Sequence, residues 1–232
     1  VLGVFGCVCS EITIQQDNEY RGANYLLASL VVILQAITLL ATVIGSRSGG
    51  CDGGMKKVIL SLALGTFGLG MAEFGIMGVL TELAHNVGIS IPAAGHMISY
   101  YALGVVVGAP IIALFSSRYS LKHILLFLVA LCVIGNAMFT LSSSYLMLAI
   151  GRLVSGFPHG AFFGVGAIVL SKIIKPGKVT AAVAGMVSGM TVANLLGIPL
   201  GTYLSQEFSW RYTFLLIAVF NIAVMASVYF WV

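Results

Sequence analysis

Long apolar stretches recur along nearly the whole chain and are separated by short polar segments. A helix needs about 20 mostly apolar residues to cross a hydrocarbon core of about 30 Å. The stretches lack the alternation of apolar and polar residues that is typical of membrane-barrel strands. The pattern therefore predicts an all-α integral membrane protein. Its predicted spans are residues 23–44, 58–81, 95–116, 122–141, 145–171, 179–204 and 212–231.

The amino-acid composition agrees with this prediction and limits the kinds of partner that we expect. Hydrophobic residues make up 59% of the 232-residue chain and charged residues 8%, a balance that one soluble core could not bury. The Lys and Arg residues are spread through short loops, so we expect a lipid bilayer and no nucleic acid as a partner. The cysteines show no metal-ligand spacing, and we find no phosphate loop and no nucleophile–base motif. We therefore expect no metal, no cofactor and no enzymatic activity.

Basic residues alternate between the two ends of the predicted spans. Positively charged loops stay on the cytoplasmic side of a membrane. Every second loop carries Lys or Arg residues, and Arg211 is the only Lys or Arg in the loops between them. The alternation predicts that residue 55 and the last residue are cytoplasmic. The basic loop residues are Lys56, Lys57, Arg118, Lys122, Lys172, Lys175 and Lys178.

The segment GSRSGGCDGG, residues 45–54, is rich in glycine and serine and precedes Met55. Such a composition is typical of a flexible linker. We therefore predict three parts: an unassigned segment, 1–44, that carries the first span; the linker, 45–54; and a six-helix unit, 55–232. Two interpretations of the first part stay open, namely a fusion or fragment of another membrane protein, and a natural additional span.

A weak internal repeat lies within the six-helix unit. The segment that begins at Gly108 aligns with the segment that begins at Gly197, and Pro110 then aligns with Pro199. Two three-helix units in sequence must enter the bilayer from opposite sides, because three is odd. Inverted repeats are typical of alternating-access transporters, and matched Gly–Pro breaks predict bent spans along a transport pathway. Chance matching of apolar sequence is the alternative.

Small residues four positions apart run along two of the predicted spans. This spacing permits close contact between membrane helices. The contact can be static packing or a surface on which helices slide, and the sequence leaves both open. The residues are Gly156, Gly160 and Gly164 on one span, and Gly185, Gly189, Ala193, Gly197 and Gly201 on the next.

Polar side chains inside the spans are the candidates for chemistry. Arg152 is a charge at membrane depth, where charged groups usually face a bundle interior or a cavity; the alternative is that it reaches outward to the membrane surface. His159 follows seven residues later on nearly the same helix face, as a pathway residue or a packing residue. Asn194 can line a cavity or bridge two helices.

Glu73 is the only acidic residue well inside a predicted span. Apolar surroundings favour the neutral form of a carboxyl group, so a glutamate at membrane depth can exchange a proton near neutral pH. This property suits a proton-coupling site. The alternative is a permanently protonated side chain that hydrogen-bonds to a neighbouring helix.

Two segments carry a resemblance to a known family. GRLVSGFPHGA, from Gly151, resembles the fourth-helix signature of major facilitator superfamily transporters of the drug:proton antiporter type. The resemblance implies that Arg152 takes part in proton coupling. It also implies that Gly189, Ala193, Gly197, Pro199 and Gly201 belong to the glycine-rich fifth-helix signature, in a variant order.

The loop ALFSSRYSLKH, from Ala113, resembles the family's cytoplasmic loop between helices two and three. Arg118 and Lys122 match basic positions of that loop. Ala113, Ser117 and Ser120 replace its two glycines and its aspartate, so the carboxylate-centred latch of the family is not expected here.

The family has twelve helices, with the substrate cavity between two six-helix halves, and residues 55–232 resemble the N-terminal half. The likeness extends to a bacterial exporter linked to arabinose. It implies a multi-pass protein of the bacterial inner membrane that exports a sugar or drug-like molecule, exchanges protons and needs a complementary half. The rival hypothesis is a non-transporting chimeric or truncated membrane module, which serves as a scaffold, a fusion or an insertion substrate.

Overall fold

The computed structural model describes residues 53–116 and 118–232, and these residues form six helices. All six are long and apolar enough to cross a membrane, and the described residues contain no strand. The helices are α1 (Gly53–Val87), α2 (Ile91–Ser116), α3 (Leu121–Leu141), α4 (Tyr145–Ile173), α5 (Val179–Glu207) and α6 (Trp210–Trp231). The prediction of an all-α membrane fold is confirmed for these residues.

The predicted boundaries differ from the structure at the start of the unit. Helix α1 begins at Gly53, so the last two residues of the predicted linker are helical and the linker prediction is wrong there. An α-helix can continue beyond the hydrocarbon core, and the 35 residues of α1 exceed the length needed to span it. The predicted span 23–44, and the rest of the predicted linker, lie outside the described residues.

Short turns join the helices, and serine side chains cap the starts of three of the described helices. The Ser120 side chain accepts a hydrogen bond from the backbone N–H of His123 at the start of α3, and Ser144 does the same for Met147 at the start of α4. Such serine caps satisfy backbone donors that have no partner inside the helix. Because the connections are short, consecutive helices run in opposite directions.

The inverted repeat is visible in the arrangement of the helices. A shift of 89 residues, from Gly108 to Gly197, carries α3 (121–141) onto residues 210–230, inside α6. The same shift carries α2 into α5 and overlays α1 on α4. Helix α1 packs mainly against α5, while α4 packs mainly against α2, as a two-fold relation between the repeats requires. The predicted class, six helices in two inverted repeats, is therefore confirmed.

Glycines bring these helix pairs into backbone contact. A Cβ added at Gly189 would overlap the carbonyl oxygen of Ala63 on α1, and one added at Gly156 would overlap the carbonyl oxygen of Tyr101 on α2. The predicted small-residue contacts therefore exist at both interfaces. They do not extend to Gly164, where an added Cβ would meet no neighbouring atom within 4 Å.

Arg211 ties the beginning of α6 to the end of α3. Its Nη1 atom donates a hydrogen bond to the carbonyl oxygen of Thr140 at 2.6 Å, and its guanidinium lies 4.7 Å from the centre of the Trp210 ring. Carbonyls in the last turn of a helix have no partner within that helix. Arg211 therefore donates a hydrogen bond to a carbonyl of α3 that lacks a partner within that helix.

We expect Arg211→Ala to lower the free energy of unfolding by about 1 to 2 kcal/mol, because a charged donor is removed from a partly buried carbonyl. Thermal unfolding in mild detergent measures this change. Lys175→Ala, in the exposed turn before α5, is the matched control and should shift the midpoint much less. Equal shifts for both variants would show that the Thr140 contact contributes nothing.

Candidate functional site

Arg152 lies inside the bundle, where α1, α2 and α4 meet. Its side chain is fully buried. The Nη1 atom donates a hydrogen bond to the carbonyl oxygen of Ala72 on α1 at 2.7 Å, and Nε donates to the carbonyl oxygen of Met97 on α2 at 3.4 Å. The alternative in which Arg152 reaches the membrane surface is therefore wrong.

Aromatic rings surround the rest of the guanidinium. Its carbon atom lies 4.5 Å from the ring centre of Tyr101, 5.5 Å from that of Phe139 and 5.6 Å from that of Phe214. Ring faces attract cations, and more strongly where water is excluded. Nη2 has no hydrogen-bond partner among the described residues. The charge is thus held by two carbonyls and a ring cage.

Glu73 faces His159 across the contact between α1 and α4. The Oε2 atom of Glu73 lies 3.5 Å from Nε2 of His159, slightly longer than a good hydrogen bond. The Glu73 side chain keeps 19% of its surface exposed and that of His159 only 8%. A carboxyl and an imidazole at this distance can share a proton, and Glu73 is the member that the surroundings reach more easily.

Tyr101 connects this pair to α2. Its hydroxyl lies 2.7 Å from Nδ1 of His159 and donates a hydrogen bond to the carbonyl oxygen of Leu69 at 3.2 Å. In an α-helix the carbonyl of residue 69 also accepts the N–H of residue 73. Tyr101 therefore contacts the same helical turn that carries Glu73.

The structure brings Glu73, Arg152 and His159 into one polar cluster, which we define by these three residues and Tyr101. The titratable side chain that contacts the Glu73 carboxyl among the described residues is that of His159 rather than Arg152. Arg152 contacts instead the carbonyl of Ala72, the residue before Glu73. Tyr101 was absent from the predicted sites, because the sequence does not distinguish it from its neighbour Tyr100.

A sequence model described as Major Facilitator Superfamily matches residues 62–232. The chain belongs to the major facilitator superfamily. The family consists of transporters, so the prediction that the protein is not an enzyme is confirmed.

Relatives in this superfamily carry transport names. The chain is 41% identical over 172 residues to the "Inner membrane transport protein YdhP" of Escherichia coli (strain K12), a match that covers 74% of this chain and 44% of the relative. It is 35% identical to the "Uncharacterized MFS-type transporter YfhI" of Bacillus subtilis (strain 168), over 72% of this chain and 42% of the relative.

A third relative, the "Chloramphenicol resistance protein" of Streptomyces lividans, is 28% identical over 71% of this chain and 42% of the relative. The chain thus spans less than half of the length of the curated relatives it matches. The likeness to an arabinose-linked exporter, and the antiporter subtype, stay predictions.

The other predicted pathway residues of this superfamily member lie outside the polar cluster. Gly197 and Gly201 pack against α1, as Gly189 does. Pro110 and Pro199 are exposed, and Asn194 is half-buried. Helices α2 and α5 continue through their prolines, so the bends predicted there stay a prediction.

Of the two predicted loop residues, Lys122 makes a defined contact and Arg118 is exposed. The Nζ atom of Lys122 donates a hydrogen bond to the carbonyl oxygen of Tyr229 at 2.6 Å and lies 5.1 Å from the centre of that ring. A cation is favoured at the end of a helix, where carbonyls lack partners. Lys122 therefore joins α3 to the last turns of α6.

The described residues contain no group of His, Cys, Asp and Glu side chains that could hold a metal ion. Cys132 is buried and its Sγ accepts a hydrogen bond from the Asn136 side chain at 3.3 Å, as expected for a packing residue.

An apolar cavity of about 520 Å³ lies between α2 and α3, apart from the polar cluster. The residues that line it include Ile112 and Phe127.

Proposed function

We propose that this chain is half of a proton-coupled secondary transporter, which exports a small molecule by alternating access across a bacterial inner membrane. The observation that carries the proposal is the contact between Glu73 and His159 beside the buried charge of Arg152. Ionisable groups buried in a membrane bundle are costly and are usually retained for function. Membership of a transporter superfamily agrees with this assignment.

In this proposal Glu73 takes up and releases the proton. It keeps more exposure than its partner His159, so it can exchange protons with the surroundings. Arg152 is a fixed positive charge whose hydrogen bond to Ala72 reaches the turn of α1 that carries Glu73. This charge compensates the carboxylate inside the bundle when the proton leaves.

The polar cluster joins three helices, and this suits coupling to a change of conformation. Arg152 on α4 binds carbonyls of α1 and α2, while Tyr101 on α2 binds a carbonyl of α1. A change in the protonation of Glu73 alters the charge at the point where these helices meet. The glycine contacts at Gly156 and Gly189 permit the helices to shift without side-chain obstruction.

We assign the remaining predicted residues to the pathway of this transporter. They lie on the two helices that the repeat relates, α2 and α5. Matched breaks at such positions are typical of transport pathways. The residues are Pro110, Asn194, Gly197, Pro199 and Gly201, and Gly189 belongs with them.

The substrate class we propose is a sugar or a drug-like molecule, exchanged for protons. The name of the Streptomyces lividans relative, a chloramphenicol resistance protein, supports the drug-like alternative. A complementary six-helix half would supply the second wall of the substrate cavity, in keeping with the chain's 44% coverage of the E. coli relative. In this proposal residue 55 is cytoplasmic, and the basic residues around Arg118 and Lys175 support this orientation.

Proton flux in proteoliposomes tests this function. We would reconstitute the chain alone, and together with a complementary six-helix half, with a pH-sensitive dye inside the vesicles. Addition of candidate sugars or chloramphenicol should move protons only when both halves are present. Absence of flux in each combination, with the chain folded and inserted, would favour the non-transporting membrane module.

A further inference from the structure

The hydroxyl of Tyr101 lies between two acceptors but carries one proton. One acceptor is Nδ1 of His159, 2.7 Å away, and the other is the carbonyl oxygen of Leu69, 3.2 Å away. A tyrosine hydroxyl donates one hydrogen bond and can accept others. Its proton therefore points to either the imidazole or the carbonyl.

Each orientation of the hydroxyl requires a different nitrogen of the imidazole to carry a proton. If Tyr101 donates to Nδ1, the neutral ring carries its proton on Nε2, which faces Oε2 of Glu73. If Tyr101 donates to Leu69, its oxygen accepts a hydrogen bond from a proton on Nδ1. Nε2 then accepts the proton of a neutral Glu73.

The two orientations differ by one proton. In the first, an ionised Glu73 accepts the Nε2–H, and the cluster holds two protons, one on Tyr101 and one on His159. The second holds three, because the added proton lies on Glu73. This proton comes from solvent and returns to it, so the balance needs no other reactant.

We propose that Tyr101 is a positioning residue that couples the protonation of Glu73 to the choice of protonated nitrogen on His159. The inference rests on the proposed proton exchange at Glu73 and adds a residue of α2 to it. When Glu73 is ionised, Tyr101 donates to His159; when the cluster gains a proton, Tyr101 turns to Leu69.

The equivalent position in the second repeat supports a role for Tyr101 beyond packing. The shift of 89 residues places Met190 where Tyr101 lies and Gly70 where His159 lies. The equivalent contact is preserved there, since a Cβ at Gly70 would come within 2.8 Å of the Met190 sulfur. An apolar side chain therefore suffices to pack this position, and the hydrogen-bonded pair occurs in one repeat only.

Other titratable groups lie near Tyr101 and bear on the protons of the cluster. Arg152 lies on the same helix, with its guanidinium 4.5 Å from the Tyr101 ring. The Cys132 thiol of α3 is buried and hydrogen-bonded to Asn136. Of these groups, Glu73 is the one whose side chain contacts the imidazole, at 3.5 Å.

The test is ¹⁵N magnetic resonance of the histidine-labelled chain in lipid, with the His159 signals assigned by their loss in His159→Gln. In the wild type we expect Nδ1 to be unprotonated at high pH. It should gain a proton over the same pH range in which the infrared carbonyl band of protonated Glu73 appears. Tyr101→Phe keeps the ring and removes only the hydroxyl, so Nδ1 should lose this protonation across that range, because a buried Nδ1–H would have no acceptor.

Tyr100→Phe is the matched control, since the Tyr100 hydroxyl meets Tyr145 rather than the polar cluster. It should titrate as the wild type does. If Tyr101→Phe also leaves the Nδ1 titration unchanged while Glu73 still gains its proton, the inference is overturned and the proposed function stands. If Glu73 shows no protonation change in any variant, the proposed function fails together with the inference.

Discussion

Substitution of Glu73 by glutamine should abolish substrate-driven proton movement in the reconstitution that combines both halves. The amide has nearly the same shape as the acid but cannot bind or release a proton. A positioned proton-transfer group contributes about a hundredfold or more to a rate, so we expect a loss of at least about that size. The initial rate of dye response in proteoliposomes measures it.

Glu82→Gln is the matched control on the same helix. Glu82 lies near the end of α1, where its carboxylate accepts a hydrogen bond from the Asn86 side chain, away from the polar cluster. We expect this variant to move protons at nearly the wild-type rate. Equal losses in both variants would mean that helix α1, rather than the carboxyl group of Glu73, is what transport requires.

Alanine substitutions at Gly156, Gly160 and Gly164 should destabilise the fold in that order. A Cβ at Gly156 would overlap the backbone carbonyl of Tyr101, which cannot move aside without moving α2. A Cβ at Gly160 would come within 3.2 Å of the Ala109 Cβ, and one at Gly164 would meet no neighbour within 4 Å. We expect losses in the free energy of unfolding of about 3, about 1 and about 0 kcal/mol.

Unfolding of the reconstituted chain by a denaturing detergent measures this series, and Gly164→Ala is its internal control. The three substitutions make the same chemical change on one helix, so intrinsic helix propensity cancels between them. Similar losses at all three positions would contradict the close approach of α2 and α4 at Gly156.

Much of the fold follows from hydrophobic runs alone. Each predicted span from residue 58 onward corresponds to one helix of the structure, because a bilayer demands a minimum apolar length and internally satisfied backbone groups. The first residue of α1 was harder to predict. Hydropathy shows where a helix leaves the hydrocarbon core, but not where its backbone hydrogen bonding ends. The predicted span 23–44 lies outside the described residues.

The members of the polar cluster were easier to predict than their partners. Arg152 and His159 share a face because they are seven residues apart, and Glu73 is conspicuous as an acid within an apolar run. The partner of Glu73 depends on how α1 and α4 are rotated about their axes. In helices that are apolar on all sides, hydropathy does not encode that rotation.

Tyr101 illustrates the same limit. Tyr100 and Tyr101 are equivalent by composition, and only one of them faces the interior. Gly156 contacts the Tyr101 carbonyl in this structure, and the resulting register of α2 against α4 sets the Tyr101 hydroxyl beside His159. A glycine's partner on another helix cannot be read from a single sequence, so this residue emerged only from the structure.

The central claim is that the carboxyl group of Glu73 binds and releases a proton within the polar cluster. Infrared difference spectra of the chain in lipid, recorded between high and low pH, test it without a substrate or a second half. We predict a protonated-carboxyl band that grows on acidification, is missing in Glu73→Gln and persists in Glu82→Gln. An identical band in wild type and Glu73→Gln would contradict the claim.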